Sequence, residues 1–277
     1  MHDATGAAFA SFERKWLDAY PENTLVAAFL PVDRCQGERA FGTLVHELEQ
    51  AAFEVREPEV AAAKLAWWRQ ELGDAAAGNA RHPITKILFS DGRTQAVDAG
   101  VWPAMAAGAA ILVEPPAYAT LADSFAAFAP FHGAVALAEH ALFGGRRAGA
   151  GSDATLWTIS YLLRTLTSTA QVGALLPLDL LARHGATRTA LAATTPLRSA
   201  LLRDYLAALA AQIRAVQPLS PPASLSRRVR TALDLTLISA AQRAADPLAY
   251  LVAHRRAGRW RSLLVAWHQA RAMAASA

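Results

Sequence analysis

Apolar residues recur along much of this chain three and four positions apart, a spacing that places them on one face of an α-helix. Phe41, Leu44, Leu48 and Ala52 form one such set. Prolines, glycines and polar capping residues separate the apolar sets from one another. The pattern predicts helices over residues 5–19, 24–30, 38–56, 93–113, 119–143, 197–216, 225–243 and 247–274, with others beginning at Pro58 and near Asp153.

Composition supports a helical fold held in one domain. Hydrophobic residues make up 53% of the 277 positions, alanine is very common and β-branched runs are few, which favours helix over strand. The prolines within 217–223 mark a turn rather than a domain boundary, since only two predicted helices follow them. We therefore predict one all-α domain over residues 1–277.

Three features bear on where the protein resides. The single cysteine, Cys35, cannot form an intramolecular disulfide, and the N-terminus has no basic segment followed by an apolar one. The longest apolar stretch, 100–113, contains Pro103 and falls short of the roughly 20 residues that cross a bilayer. These features predict a cytoplasmic protein without a membrane-spanning helix.

Charge is distributed unevenly along the chain. Residues 1–153 carry 12 Lys/Arg and 19 Asp/Glu, a net of −7, whereas residues 154–277 carry 15 Arg and 4 Asp/Glu, a net of +11. A basic half can face nucleic acid, anionic lipid or a phosphorylated ligand, or be a solvated arginine-rich surface. We predict no nucleic-acid partner.

Four arginines near the C-terminus surround a tryptophan. They are Arg255, Arg256, Arg259 and Arg261, with Trp260 among them and Trp267 seven residues after Trp260. Basic residues interleaved with aromatic ones are typical of peripheral contact with an anionic membrane. A solvated face with one anchoring aromatic residue is the alternative.

One stretch, 159–185, has a recognisable order of residues. A helix carries Arg164, breaks at Gly173, passes Pro177 and restarts as a short segment that ends at His184-Gly185. This order resembles the second signature region of the squalene/phytoene synthase family. Earlier in the chain, Trp67-Trp68-Arg69 followed by His82-Pro83 is similar to a branch of that superfamily that includes hopanoid-pathway synthases and the mitochondrial complex I assembly factor group.

The resemblance fails at the metal-binding positions. Family members hold Mg²⁺ with aspartates four residues apart on one helix face, and this chain has Thr165 and Thr169 in one region and His46 and Gln50 in the other. Neutral hydroxyl, imidazole and amide groups are poor substitutes for carboxylates around Mg²⁺. We expect no resident metal and no other cofactor.

Acidic residues do occur close to the first of these regions. We interpret Glu47 and Glu49 as solvent-facing helix residues, with a metal site rebuilt from Glu47 as the alternative. Glu71 and Asp74 lie three apart and are interpreted as a solvated pair on one helix face.

The resemblance implies an isoprenoid synthase-like helical bundle around a central cavity that holds prenyl chains in active relatives. Phe41, Gly133 and Tyr161 are then candidate cavity residues, and Arg164 is the candidate ligand for a diphosphate.

Three functions follow from these expectations. The first is a member of the fold without synthase activity that binds an isoprenoid or lipid, or acts as an assembly protein. The second is a prenyltransferase that condenses two prenyl diphosphates in a rebuilt site, which alone would require Mg²⁺. The third is a structural helical scaffold with a filled interior.

Overall fold

The computed structural model describes residues 2–144, 149–167, 175–216, 223–256 and 258–275. Within these ranges the regular structure is helical, with thirteen α-helices and no strand, so the predicted all-α class is confirmed. The helices are α1 (His2–Ala19), α2 (Asn23–Val26), α3 (Val32–Phe53), α4 (Pro58–Ala76), α5 (Pro83–Phe89), α6 (Val101–Ala110), α7 (Leu121–Phe143), α8 (Ala150–Leu166), α9 (Leu178–Arg183), α10 (Pro196–Val216), α11 (Leu225–Arg243), α12 (Pro247–His254) and α13 (Arg259–Ala275).

Local chemistry explains where several helices begin and end. Pro58 and Pro83 occupy first-turn positions, where a missing N–H leaves no hydrogen bond unmade. Thr120 and Asp123 form a reciprocal capping box at the start of α7. Gly144 follows the same helix with φ of +78°, a left-handed conformation that glycine adopts without steric cost.

Two predicted helices are wrong in part. The helix predicted over 247–274 is two helices, α12, which ends at His254, and α13, which begins at Arg259. The helix predicted over 93–113 is a 3₁₀ helix at Gly92–Ala96 followed by α6, because Asp98 accepts from the backbone N–H of Gly100 and forms a turn between them. Pro103 lies in the first turn of α6 and does not interrupt it.

The main core forms where α7 packs against α6, α8 and α3. Trp102, Phe128, Phe131 and Tyr161 are among its largest fully buried side chains. At Gly108 a Cβ atom would lie 2.6 Å from the backbone of Phe131, so α6 and α7 approach each other backbone to backbone. Glycine is required there by that close approach.

Among the described helices, α7 alone is long and apolar enough to cross a membrane by length and composition. It has 23 residues, and 44% of its most apolar window is buried inside the bundle. Its contacts are those of a core helix.

A smaller apolar cluster lies at one edge of the bundle. It joins Val26 of α2, Leu225 and Val229 of α11, and Ala266 of α13. This cluster attaches the C-terminal helix to the rest of the fold.

Candidate functional site

Arg164, the candidate diphosphate ligand, lies in the last turn of α8 and reaches across the interior to α3. Its Nη2 donates to Oε2 of Glu49 at 2.7 Å. The guanidinium also lies over the rings of Tyr20 and Tyr161, at 5.4 and 5.5 Å from their centroids. Burial opposes the charge of Arg164, but the Glu49 carboxylate together with Tyr20, Tyr161 and Glu54 outweighs burial, so the pKa of Arg164 is raised. The positive charge of Arg164 is therefore already neutralised from within the chain.

His46 and Gln50, which stand on α3 where family members have aspartates, carry no negative charge. His46 is buried, its Nδ1 has no hydrogen-bond partner among the described residues, and its ring lies 6.0 Å from that of Tyr20. Burial, with help from Arg164 and two lysines, lowers the pKa of His46 to about 3, so the imidazole is neutral at physiological pH. Gln50 is half-buried on the same helix.

Of the two threonines of the second region, Thr165 and Thr169, the first lies at the end of α8. The hydroxyl of Thr165 donates to the carbonyl of Leu162 at 2.8 Å, which is a common internal bond for threonine in a helix. Thr169 and Gly173 lie outside the described residues. The hydroxyl of Thr165 is thus committed to its own helix.

The interpretation of Glu47 and Glu49 as solvent-facing residues is wrong, since both are buried, at 4% and 2% exposure. Helix α3 is surrounded by α1, α4, α5, α6 and α7, so its polar face also meets neighbouring helices. Glu47 pairs with Lys15 at 3.9 Å and with Lys64 at 3.7 Å. Each glutamate is therefore matched to cations on another helix.

Glu71 is also buried rather than solvated. It accepts the backbone N–H groups of Arg81 and His82, both at 2.8 Å, and the hydroxyl of Thr85 at 2.5 Å. Burial raises the pKa of this carboxyl, but these hydrogen bonds outweigh burial and lower the pKa overall. Glu71 thus fixes the turn before α5, and His82 packs edge-on against the buried ring of Trp68 at 4.7 Å. Asp74, by contrast, is partly exposed and pairs with Arg81 at 2.7 Å.

The described residues do not fit the Mg²⁺ of family members. Mg²⁺ is held in proteins by oxygen ligands, usually one or two carboxylates together with substrate phosphates. Here the carboxylates of Glu47 and Glu49 are each paired with a cation, and His46 presents an imidazole. Across the described part of the chain, no group of three or more His, Cys, Asp or Glu side chains is placed to hold a metal ion.

A partly open cavity of about 40 Å³ lies beside this region. It is lined by residues of α1, α2, α3, α7, α8 and the start of α11, among them Tyr20, Phe41, Trp157 and Arg227. Pockets for drug-sized ligands are about 300–1,000 Å³, whereas each water needs only about 10–15 Å³ of such space. As it stands, this pocket has room for a few waters, so a prenyl or lipid chain would bind there only if neighbouring side chains moved.

The three predicted cavity residues have different surroundings. Phe41 lines this cavity. Tyr161 instead packs in the core, with its ring centroid 4.2 Å from that of Phe53 and 5.3 Å from that of Phe128. Gly133 is half-buried on α7, and open space lies beyond the position of its missing Cβ.

A second polar region, not predicted from the sequence, surrounds the N-terminus of α11. Glu38 of α3 accepts from the backbone N–H groups of Leu225 and Ser226 at 3.2 and 3.1 Å and pairs with Arg34 at 3.2 Å. A carboxylate at a helix N-terminus accepts hydrogen bonds from free N–H groups and is attracted to the positive end of the helix dipole.

The arginines of α11 extend this region into the bundle. Arg227 stacks on the ring of Trp157, 3.4 Å from its centroid, and donates to Ser160 at 2.9 Å. Arg230 pairs with Asp234 and, at 3.1 Å, with Glu22 of the segment before α2. Both guanidinium groups are therefore held by partners from other parts of the chain.

Glu139 of α7 completes the region. It accepts from the indole N–H of Trp157 at 2.8 Å and from the hydroxyl of Ser224. Burial, followed by the nearby carboxylate of Asp153, raises the pKa of Glu139 to about 7. Asp153 itself lies inside α8 rather than capping it, and it is 2.6 Å from Nε2 of His140.

We name the set Glu22, Glu38, Glu139, Asp153, Asp234, Ser160, Ser224, Arg227 and Arg230 the α11 cluster. One signal of it is present in the sequence, namely Glu139-His140 within the otherwise apolar last turns of α7. Polar groups at such places are rarely buried without partners.

No family model matches this chain, and no curated protein matches it significantly. Solved structures do resemble it along its whole length. A dehydrosqualene synthase in complex with ligand has a TM-score of 0.69 at 16% identity, over 99% of both chains. The squalene synthase HpnC from Alicyclobacillus acidocaldarius has a TM-score of 0.61 at 18% identity, over 91% of this chain and 95% of that one.

Likeness at this level of identity defines the fold. The protein has the all-α isoprenoid synthase fold, as the sequence resemblance predicted. Its relation to the assembly factor branch stays a prediction.

Proposed function

We propose that this protein keeps the isoprenoid synthase fold without Mg²⁺-dependent condensation of prenyl diphosphates, and that it acts as a lipid-binding or assembly protein. The observation that carries the proposal is the ion pair between Arg164 and Glu49. It uses the candidate diphosphate ligand to neutralise a carboxylate of the chain itself.

The chemistry of the reaction supports this proposal. Condensation of prenyl diphosphates requires the charge that builds on the departing diphosphate to be stabilised by metal ions or cationic side chains. His46, Gln50 and Thr165 offer neutral groups, and Glu47 and Glu49 are paired with cations. A diphosphate would have to displace Glu49 from Arg164 before gaining that charge.

Turnover is the first test. The purified protein is incubated with farnesyl and geranylgeranyl diphosphate, with and without Mg²⁺, and pyrophosphate and hydrocarbon products are measured together with binding. We expect no product under either condition. Mg²⁺-dependent release of pyrophosphate together with a condensed hydrocarbon would contradict the proposal.

A matched pair of variants tests the ion pair itself. Glu49→Gln removes the carboxylate that neutralises Arg164, so we expect it to bind inorganic pyrophosphate about tenfold more tightly than the unchanged protein. Glu47→Gln makes the same change two residues away, beside two lysines, and serves as the control. Equal gains in both variants would mean that general charge, rather than the pair with Arg164, controls anion binding.

An active prenyltransferase with a rebuilt site is the alternative. Its support is the whole-length likeness to a dehydrosqualene synthase. This alternative requires that the unchanged protein condenses prenyl diphosphates at a measurable rate and that Arg164→Ala abolishes this turnover.

A structural scaffold is the second alternative, and it is supported by the small volume of the cavity of about 40 Å³. It requires that no prenyl or lipid ligand alters the thermal unfolding midpoint, whereas a ligand bound to the folded state raises it.

A further inference from the structure

The C-terminal helix α13 turns its small residues inward. Ser262 and Ala266 are buried where α13 meets α11, and Val265 and Met273 pack at the edge of the smaller apolar cluster. The buried face is therefore narrow and consists mainly of small side chains.

Three large apolar residues of α13 lie on the opposite face. Trp260 is 80% exposed, Leu264 65% and Trp267 47%, and their spacing of four and three residues aligns them along one side of the helix. Val252 of α12 is exposed as well. Helices that serve only the core place their large apolar residues inward, so this orientation indicates contact with something outside the chain.

The charged residues of this C-terminal segment have one sign. Residues 247–277 contain five arginines and no aspartate or glutamate. Arg259 and Arg261 are exposed on α13 beside the stripe, and Arg255 is exposed at the end of α12. Arg271 adds a fourth exposed arginine, with its guanidinium 5.0 Å from the ring centroid of Trp267. Arg256 is anchored by donating to the backbone carbonyl of Asp18 at 3.0 Å.

We propose that α12 and α13 form a surface that lies on anionic lipid membranes. Tryptophan and leucine would enter the boundary between headgroups and acyl chains, where the amphipathic indole ring is favoured. The arginines would contact lipid phosphates. With three arginines among its 17 residues, α13 is suited to lie on the bilayer rather than to cross it.

Charge argues against a second copy of the chain as the partner. A two-fold symmetric contact places the same patch on both sides, so it would bring these arginines against one another without any carboxylate in the segment to offset them. An anionic surface has the complementary charge.

This inference does not depend on the proposed function, because a synthase and a non-synthase could both dock in this way. Vesicle binding and catalytic turnover can therefore each be observed or absent independently of the other.

The test is sedimentation with lipid vesicles. The purified chain is mixed with vesicles of phosphatidylcholine, either alone or with about 30 mol% phosphatidylglycerol, and the bound fraction is measured at two salt concentrations. We expect binding only to the anionic vesicles, and weaker binding at the higher salt. Brominated acyl chains in those vesicles should also quench tryptophan fluorescence.

Two double variants separate the apolar and the charged contributions. Trp260→Ala with Trp267→Ala should weaken binding roughly tenfold and abolish the quenching. Arg255→Glu with Arg259→Glu should weaken it by about 25-fold or more, since each arginine near an anionic surface contributes about fivefold.

Control variants test the effects of losing one exposed tryptophan elsewhere and of the same change in net charge. Trp67→Ala removes a tryptophan of similar exposure, 45%, on α4. Arg69→Glu with Arg214→Glu makes the same charge change on other surfaces. Both controls should bind vesicles like the unchanged protein, and circular dichroism establishes that all variants are folded.

Three results would overturn the proposal. They are no binding to anionic vesicles at low salt, binding that both α13 variants retain, and binding without quenching by brominated chains. The last would indicate a basic patch suited to an acidic protein rather than insertion into lipid.

Discussion

Arginine has opposite surroundings at the centre of the bundle and on the outer face of α13. Arg164, Arg227 and Arg230 each reach across the interior to carboxylates, hydroxyls or aromatic rings of residues distant in the chain. Arg259 and Arg261 lie on the surface, in a segment that has no acidic residue. The net charge of +4 conceals this division, which suggests that the interior arginines maintain the fold while the outer ones remain available to a partner.

The two groups should respond differently to substitution. Removing one partner of a buried ion pair leaves the other charge without compensation and is strongly destabilising. Removing an exposed charge has little effect on stability.

Arg230→Met should have the largest effect. Arg230 is the partner of both Glu22 and Asp234, which are buried, so two carboxylates would lose their cation. We expect a loss of about 3–5 kcal/mol in the free energy of unfolding, measured by urea denaturation.

Arg243→Met is the control for this variant, because Arg243 is exposed in the last turn of the same helix. It should cost about 0.5 kcal/mol. If the two variants were equally stable, the pairs made by Arg230 would not support the fold.

Arg164→Met should have a somewhat smaller effect, since its side chain is 24% exposed and water can reach the site. We expect a loss of about 3 kcal/mol, part of which returns in the double variant with Glu49→Gln, where no carboxylate is left unpaired. Unfolding of the two single variants and the double variant measures this coupling. Additive losses would show that the two residues act independently.

Glu139→Gln tests the α11 cluster through pH. The pKa of Glu139 is raised to about 7 in the folded chain, whereas the unfolded value is about 4.3. Between these values the folded state binds the extra proton, so the stability contributed by this group falls as pH rises through the window. We expect Glu139→Gln to be more stable relative to the unchanged protein at pH 8 than at pH 4, by about 3 kcal/mol.

Urea unfolding at several pH values measures that difference, with Glu114→Gln as the control for loss of an exposed carboxylate. A difference between Glu139→Gln and the unchanged protein that is constant with pH would mean that Glu139 keeps an ordinary pKa.

Helical periodicity and capping residues were enough to predict the all-α fold and most helix positions. Periodicity could not predict that Glu47 and Glu49 are buried. The apolar face of α3 shows which side meets the core, but it does not show whether other helices also cover the polar side. The pair between Glu49 and Arg164 joins residues 115 positions apart, which periodicity within one helix cannot detect. The arginines around Trp260 were visible as a run, whereas the outward direction of Trp260, Leu264 and Trp267 depends on which face α11 covers.

The smallest effect on stability is expected for Arg259→Ala combined with Arg261→Ala. Both side chains are exposed, and exposed charges contribute little to the free energy of unfolding, so the pair should change it by no more than about 0.5 kcal/mol. Urea denaturation gives this value, and the same protein should bind anionic vesicles more weakly. A loss of stability above about 1.5 kcal/mol would show instead that these arginines hold α13 to the bundle, and the contrast between interior and surface arginines would then fail.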